Sequence, residues 1–223
     1  MNPYRLYSAL LSYPEQALQD AVPEIRDALQ ASPDTAQALS PLLDHLASHP
    51  LIELQEAYVA TFDRSPSHSL HLFEHIHGES RDRGPALVDL LHEYQSRGFE
   101  PFSGGEAVNE LPDYLPLFLE FLGQLPLEEA QGFLDDAVHV IAAVGERLAR
   151  TDSPYTVLFT QLRALATVAP LPLAEPPVRD MDELLETFGP GADGSEPLLK
   201  PRPAGPQPIQ FHPRRPQDAQ AGH

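Results

Sequence analysis

The chain has 223 residues, 25 of them proline and none cysteine, with 33 acidic residues against 14 lysines and arginines for a formal net charge of −19. A field of that sign repels phosphate backbones and anionic lipid, which argues against nucleic-acid and membrane-surface roles. The missing cysteines exclude disulfides, thiolate metal sites and a thiol nucleophile.

Met1-Asn2-Pro3-Tyr4-Arg5-Leu6-Tyr7 lacks the apolar block of a secretory signal, and no run approaches the roughly 18 apolar residues of a membrane span, so a cytoplasmic location is expected. Twelve of the prolines fall in the last 54 residues. This composition predicts a folded domain over 1–169 and a flexible, Pro-rich tail over 170–223, with one short acidic-apolar segment at 180–188. The domain carries 25 acids and 9 arginines, net −16, and the tail is net −3. Such a charge would draw in a basic partner, and it equally serves simply to keep the protein soluble.

Within 1–169 apolar residues recur at three and four while period two is nowhere sustained, so the expected fold is all-α, a single-domain antiparallel helical bundle. The first stripe is Leu6, Tyr7, Leu10 and Leu11; the second is Leu18, Val22, Ile25 and Leu29, which Pro23 should kink or split. Ser32-Pro33-Asp34 restarts a helix carrying Leu39, Leu42, Leu43 and Leu46. Pro50 opens another, with the seam Leu51, Leu54, Tyr58, Thr61 and Phe62. Ser67 or Ser69 can cap a short helix that runs through His77 and ends at Gly78. Asp82 can cap the next, with Pro85 in its first turn and Leu87, Leu90, Leu91 and Tyr94 along it. Phe99 to Asn109, with Gly104-Gly105, reads as a mobile loop. Leu111 to Leu125 is apolar around nearly its whole circumference and belongs in the middle of the bundle, with Pro112-Asp113 as an irregular lead-in and Pro116 in the first turn. Two final helices follow, through Leu127 to Leu148 and Tyr155 to Val168.

The densest chemistry lies between Ser69 and Asp113. His71 and His75, at i and i+4 of the expected helix, with Glu79 continuing the stripe, have metal-ligand spacing and would suit a metal-dependent hydrolase. Yet Leu72 stands where the metalloprotease pattern needs glutamate. Gly78-Glu79-Ser80-Arg81-Asp82 fails as a nucleophile elbow, because Asp82 replaces the second glycine and no strand precedes it. Glu74, Glu79, Asp82 and Asp113, interleaved with Arg81 and Arg83, admit three readings: an acid–base pair, an internal salt-bridge network, or a rim that receives basic side chains of a peptide docked on Tyr58, Phe62 and Phe73.

The segments Tyr58-Val59-Ala60-Thr61-Phe62-Asp63-Arg64, Ser69 to Gly84, and Glu110-Leu111-Pro112-Asp113-Tyr114-Leu115-Pro116-Leu117 closely resemble the nitrate reductase assembly chaperones of the NarJ type, within the TorD-like superfamily of redox-enzyme maturation chaperones. The resemblance runs from Tyr4 to about Val168 and extends weakly to Glu175-Pro176-Pro177-Val178 and Phe188. It implies a non-catalytic cytoplasmic chaperone without a cofactor of its own. Such proteins bind the N-terminal segment of the apo alpha subunit of respiratory nitrate reductase. They hold that subunit until its bis-guanine-dinucleotide molybdenum cofactor and an iron–sulfur cluster are inserted, before membrane attachment. Molybdenum cofactor biosynthesis proteins are further partners it points to; a different molybdoenzyme, or a twin-arginine signal peptide, is the alternative client. The superfamily pairs a Tyr-x-x-x-Phe element with a Pro-Asp-His element. Tyr58 and Phe62 satisfy the first, and Tyr114 replaces the histidine of the second. Joined to the residue reading, the expected partner-binding set is Tyr58, Phe62, Asp63, Phe73, Glu74, His75, His77, Glu79, Arg81, Asp82, Arg83, Asp113 and Tyr114, with Glu74, Glu79 and Asp113 as the acidic rim.

Overall fold

A computed structural model describes residues 2–78, 80–101 and 110–173; the expected tail segment at 180–188, nearly all of the expected tail and most of the expected loop lie outside the described residues. Among the described residues there are nine α-helices and no strand: α1 (Pro3–Leu11), α2 (Gln16–Leu29), α3 (Pro33–Ser48), α4 (Leu51–Tyr58), α5 (Glu74–His77), α6 (Arg83–Ser96), α7 (Leu115–Leu122), α8 (Leu127–Arg150) and α9 (Thr156–Leu165). The all-α expectation holds, and none of these helices is long and apolar enough to cross a membrane.

Neighbouring helices run antiparallel. Asn2 caps α1 by accepting the Tyr4 N–H at 3.0 Å and donates its amide to the Gly123 carbonyl at the far end of α7, while Ser8 donates to the Pro116 carbonyl at the near end. Gln19 of α2 donates to the Leu46 and His49 carbonyls at the end of α3. α8 and α9 cross so closely that a Cβ on Gly145 would stand 2.7 Å from the Phe159 Cβ.

The nearly all-apolar α7 is the centre. Leu115, Phe118, Leu119, Phe121 and Leu122 are buried, and Phe121 meets Tyr94, Phe99 and Phe133 at ring-centroid distances of 4.4, 5.7 and 5.3 Å. Such aromatic pairs add about 0.5–1.5 kcal/mol each beyond the area they bury. Phe99, assigned to a loop on sequence grounds, is therefore a core residue.

Three local expectations are corrected. Pro23 does not split α2, because it lies on the exposed side of the helix, where the carbonyl it leaves unpaired can meet water; Pro41 likewise sits inside α3 on an exposed position. The Tyr58 helix does not continue as α but passes into a π-helical turn over Val59–Asp63, marked by the Arg64 N–H bonding the Val59 carbonyl at 3.0 Å. Finally, no helix begins at Ser67 or Ser69. Pro66–His68 forms a 3-10 turn, His71 makes an isolated bridge between a bend at Leu70 and a turn at Leu72, and α5 is a single turn closed by Gly78 at φ +54°.

Candidate functional site

The chain at His71 leaves the helical path because it has a partner distant in sequence. His71 and Tyr114 form an antiparallel bridge, with the Leu72 N–H on the Asp113 carbonyl at 3.0 Å and the Leu115 N–H on the Leu70 carbonyl at 2.8 Å. This satisfies backbone groups that a helix at Leu70–Leu72 would have satisfied internally. His71 is thereby taken off any helical face shared with His75, which removes the geometry that suggested a metal site. Glu79 lies outside the described residues, and among those described no group of three histidines or acids is placed to hold a metal ion.

Asp113 sits at the junction with its side chain wholly buried. One carboxylate oxygen accepts the Phe73 N–H at 3.0 Å and lies 3.8 Å from Arg83 Nη2; the other accepts from His71 Nδ1 at 3.3 Å. Arg83 also donates to Glu74 at 3.1 Å. Asp113 thus ties α7, α5 and α6 together and does not form part of an exposed rim. A carboxylate in this position is tolerated only because each oxygen is paired. Burial alone would depress the His71 pKa, but the hydrogen bond and charge of Asp113, with Glu74, outweigh it and hold the imidazole above its ordinary value.

A second buried network backs the first. His75 Nε2 donates to the Ser69 carbonyl at 2.8 Å, leaving Nδ1 to accept from Arg147, which also donates to the Ser67 carbonyl at 3.1 Å. Burial, reinforced by the Arg147 guanidinium, lowers the His75 pKa to about 4 and keeps the ring neutral. Phe73 is 1% exposed and belongs to the core. His77 stacks edge-on against it, with centroids 5.7 Å apart. Sequence reasoning missed Arg147, and no local pattern near it signals a partner 72 residues away.

Four of the thirteen expected residues, Phe62, Asp63, Glu74 and Tyr114, do converge on a cleft. Phe62, Asp63, Pro66, Ser69, Leu70, His71, Glu74 and Tyr114 line a depression of about 240 Å³. The π turn presents Phe62 and Asp63 to it together. Tyr58 lies beneath: its hydroxyl donates to the Leu11 carbonyl at 2.8 Å and so accepts from the Tyr114 hydroxyl at 2.9 Å. Tyr13, Phe62 and Tyr155 surround the Tyr58 ring at 5.5, 4.9 and 6.0 Å. Burial raises both phenols, with Tyr114 pushed up to about 12, so neither ionises near neutrality. Asp63 is exposed at the cleft's edge. Arg81 and Asp82, both exposed, do not line it; Asp82 instead bonds with Ser80 at 3.2 Å through both its carboxylate and its N–H.

An all-helical bundle whose densest polar constellation ties the fold together and borders a small cleft of mixed polar and apolar lining has the form of a binding protein. The fold matches a crystal structure described as a candidate redox enzyme maturation protein from Archaeoglobus fulgidus, at a TM-score of 0.53 and 19% identity over 74% of this chain and 92% of that one. Residues 16–161 match the family model described as nitrate reductase delta subunit. Over 168 residues the chain is 43% identical to the nitrate reductase molybdenum cofactor assembly chaperone NarJ of Escherichia coli, covering 74% of this chain and 69% of that protein. It is 31% identical to a probable NarJ of Bacillus subtilis, over 70% and 84% of the two chains. The chain belongs to the nitrate reductase delta subunit family, alongside the NarJ-type assembly chaperones; it is a chaperone and not an enzyme.

Proposed function

We propose that the protein binds the N-terminal segment of the apo catalytic alpha subunit of respiratory nitrate reductase in the cytoplasm. It holds that subunit open to insertion of the molybdenum cofactor and an iron–sulfur cluster, then leaves before membrane attachment. The observation that carries this reading is the cleft bounded by Phe62, Leu70 and Tyr114 with the carboxylates of Asp63 and Glu74 on its lining. An amphipathic segment needs an apolar floor for its anchor side chains and charge at the rim for register. The cleft volume falls below the roughly 300–1,000 Å³ of pockets that enclose a whole small molecule, so it fits anchor side chains better than a cofactor. The names of the relatives support the choice of client. Molybdenum cofactor biosynthesis proteins remain further partners for the acidic surface.

The test is co-purification with the apo alpha subunit, intact and lacking its leading segment. The intact subunit is expected to be retained and the shortened one lost; equal recovery of both overturns the reading. If the carboxylates steer the encounter, added salt should slow association more than it speeds dissociation.

A further inference from the structure

The chain does not leave the bundle when α9 ends. Gln131 donates to the Leu165 carbonyl, the Asp135 carboxylate accepts both the N–H (2.7 Å) and the hydroxyl of Thr167, and the Leu171 N–H bonds His139 Nδ1 at 2.9 Å. Leu173 packs against the core. The contacts thus advance along α8 from 131 to 139, about 12 Å at 1.5 Å per residue, toward the end where Arg147 grips Ser67 beside the cleft. Fifty residues follow Leu173.

Within them, Leu198–Arg215 differs from the rest of the chain. It has no acidic residue, four basic ones in Lys200, Arg202, Arg214 and Arg215, and the apolar Leu198, Leu199, Ile209 and Phe211; Lys200 is the only lysine in the protein. That is the chemistry the cleft was read to accept, carried by a chain whose first 169 residues are net −16. The five prolines of the segment lower the entropy lost on docking. Reach is no obstacle. At about 3.3–3.6 Å per residue, the intervening 24 residues can bridge at most roughly 80–85 Å, well beyond the remaining 12 Å or so of α8 between His139 and Arg147.

We infer that, without client, Leu198–Arg215 of the same chain occupies the cleft between Phe62, Leu70 and Tyr114, and that the client segment must displace it. This rests on the reading of the cleft as the client's seat. Tethering supplies an effective concentration on the order of 1 mM, so a segment with a free affinity on the order of 0.1 mM would weaken apparent client binding about tenfold.

The absence of native cysteine makes a single label clean. A nitroxide on full-length Ala204→Cys should broaden the amide signals of Asp63, Ser69, Leu70 and His71. The broadening should vanish when Lys200, Arg202, Arg214 and Arg215 are all changed to Glu, and that variant should bind a synthetic client segment about threefold or more tighter. No broadening at these amides, broadening centred instead on the second depression, lined by Pro101, Glu120 and Gln124 at the end of α7, or broadening that survives charge reversal overturns the inference. So does an equal effect between labelled protein and a separate isotope-enriched copy, which would make a second molecule the donor. If the tail docks but the wild-type and charge-reversed proteins both fail to bind the client segment, the client reading falls while tail docking stands.

Discussion

Asp113 and Asp63 bear the same carboxylate at one site under opposite constraints. Asp113, behind the cleft, is sealed from water and binds a backbone N–H, an imidazole and a nearby guanidinium. Asp63, at the mouth, stands exposed on a π-helical turn and forms no salt bridge among the described residues. Asp113 holds the wall together, and Asp63 lines the space in front of it. Residues that look equally functional in the sequence therefore divide into those whose loss should unfold the wall and those whose loss should leave the fold intact and empty the cleft.

The largest effect is expected at Asp113. Asp113→Ala strands Arg83, His71 and the Phe73 N–H in a buried space and should cost about 3–5 kcal/mol in urea unfolding. A cost under 1 kcal/mol would place this residue with the mouth instead of the wall.

Acid should reveal His75 next. Its folded pKa lies near 4 while the unfolded value stays near 6.5, so the unfolded chain binds the additional proton between those values. Stability should fall by about 1.4 kcal/mol per pH unit as pH drops from about 6.5 to 4, on the order of 3 kcal/mol in all. His71 works in the opposite sense: its raised pKa adds stability that is full below about 6.5 and lost as pH rises through the folded value. Replacing His75 with Gln should flatten the acid limb in denaturant melts at successive pH values; an unchanged slope would assign the acid sensitivity elsewhere.

Tyr114→Phe is intermediate. The Tyr58 hydroxyl keeps the Leu11 carbonyl and loses only its second partner, so the cost should be near 1 kcal/mol by thermal or urea unfolding. A loss of 3 kcal/mol or more would make the hydroxyl pair part of the wall.

The wall was harder to read from sequence than the bundle. The apolar stripes of α1, α3, α7 and α8 repeat at helical spacing and sit where that spacing puts them. The Tyr58–Phe62 pair, four residues apart, also meets as expected, at 4.9 Å. What escaped depends on partners distant in the chain. The bridge to Tyr114 turns His71 out of a helix, Arg147 reaches Ser67 across 80 positions, and Phe99 joins the core through Tyr94 and Phe121. Local periodicity carries no signal for such pairings, and the π turn that sets Asp63 at the cleft has no composition of its own. The thirteen expected partner-binding residues accordingly include Phe73, His75 and Asp113, whose types suit a binding surface and whose burial gives them to the wall.

The central claim is that the cleft's exposed carboxylate faces a basic client segment. The most direct test titrates a synthetic peptide of the alpha subunit's leading residues into full-length wild type, Asp63→Arg, and Asp20→Arg as a charge-matched change on exposed α2. The account predicts saturable one-to-one binding to wild type and Asp20→Arg, and at least tenfold weaker binding to Asp63→Arg with unfolding stability changed by less than about 0.5 kcal/mol. Equal affinity for all three proteins, or no binding by any, would contradict it.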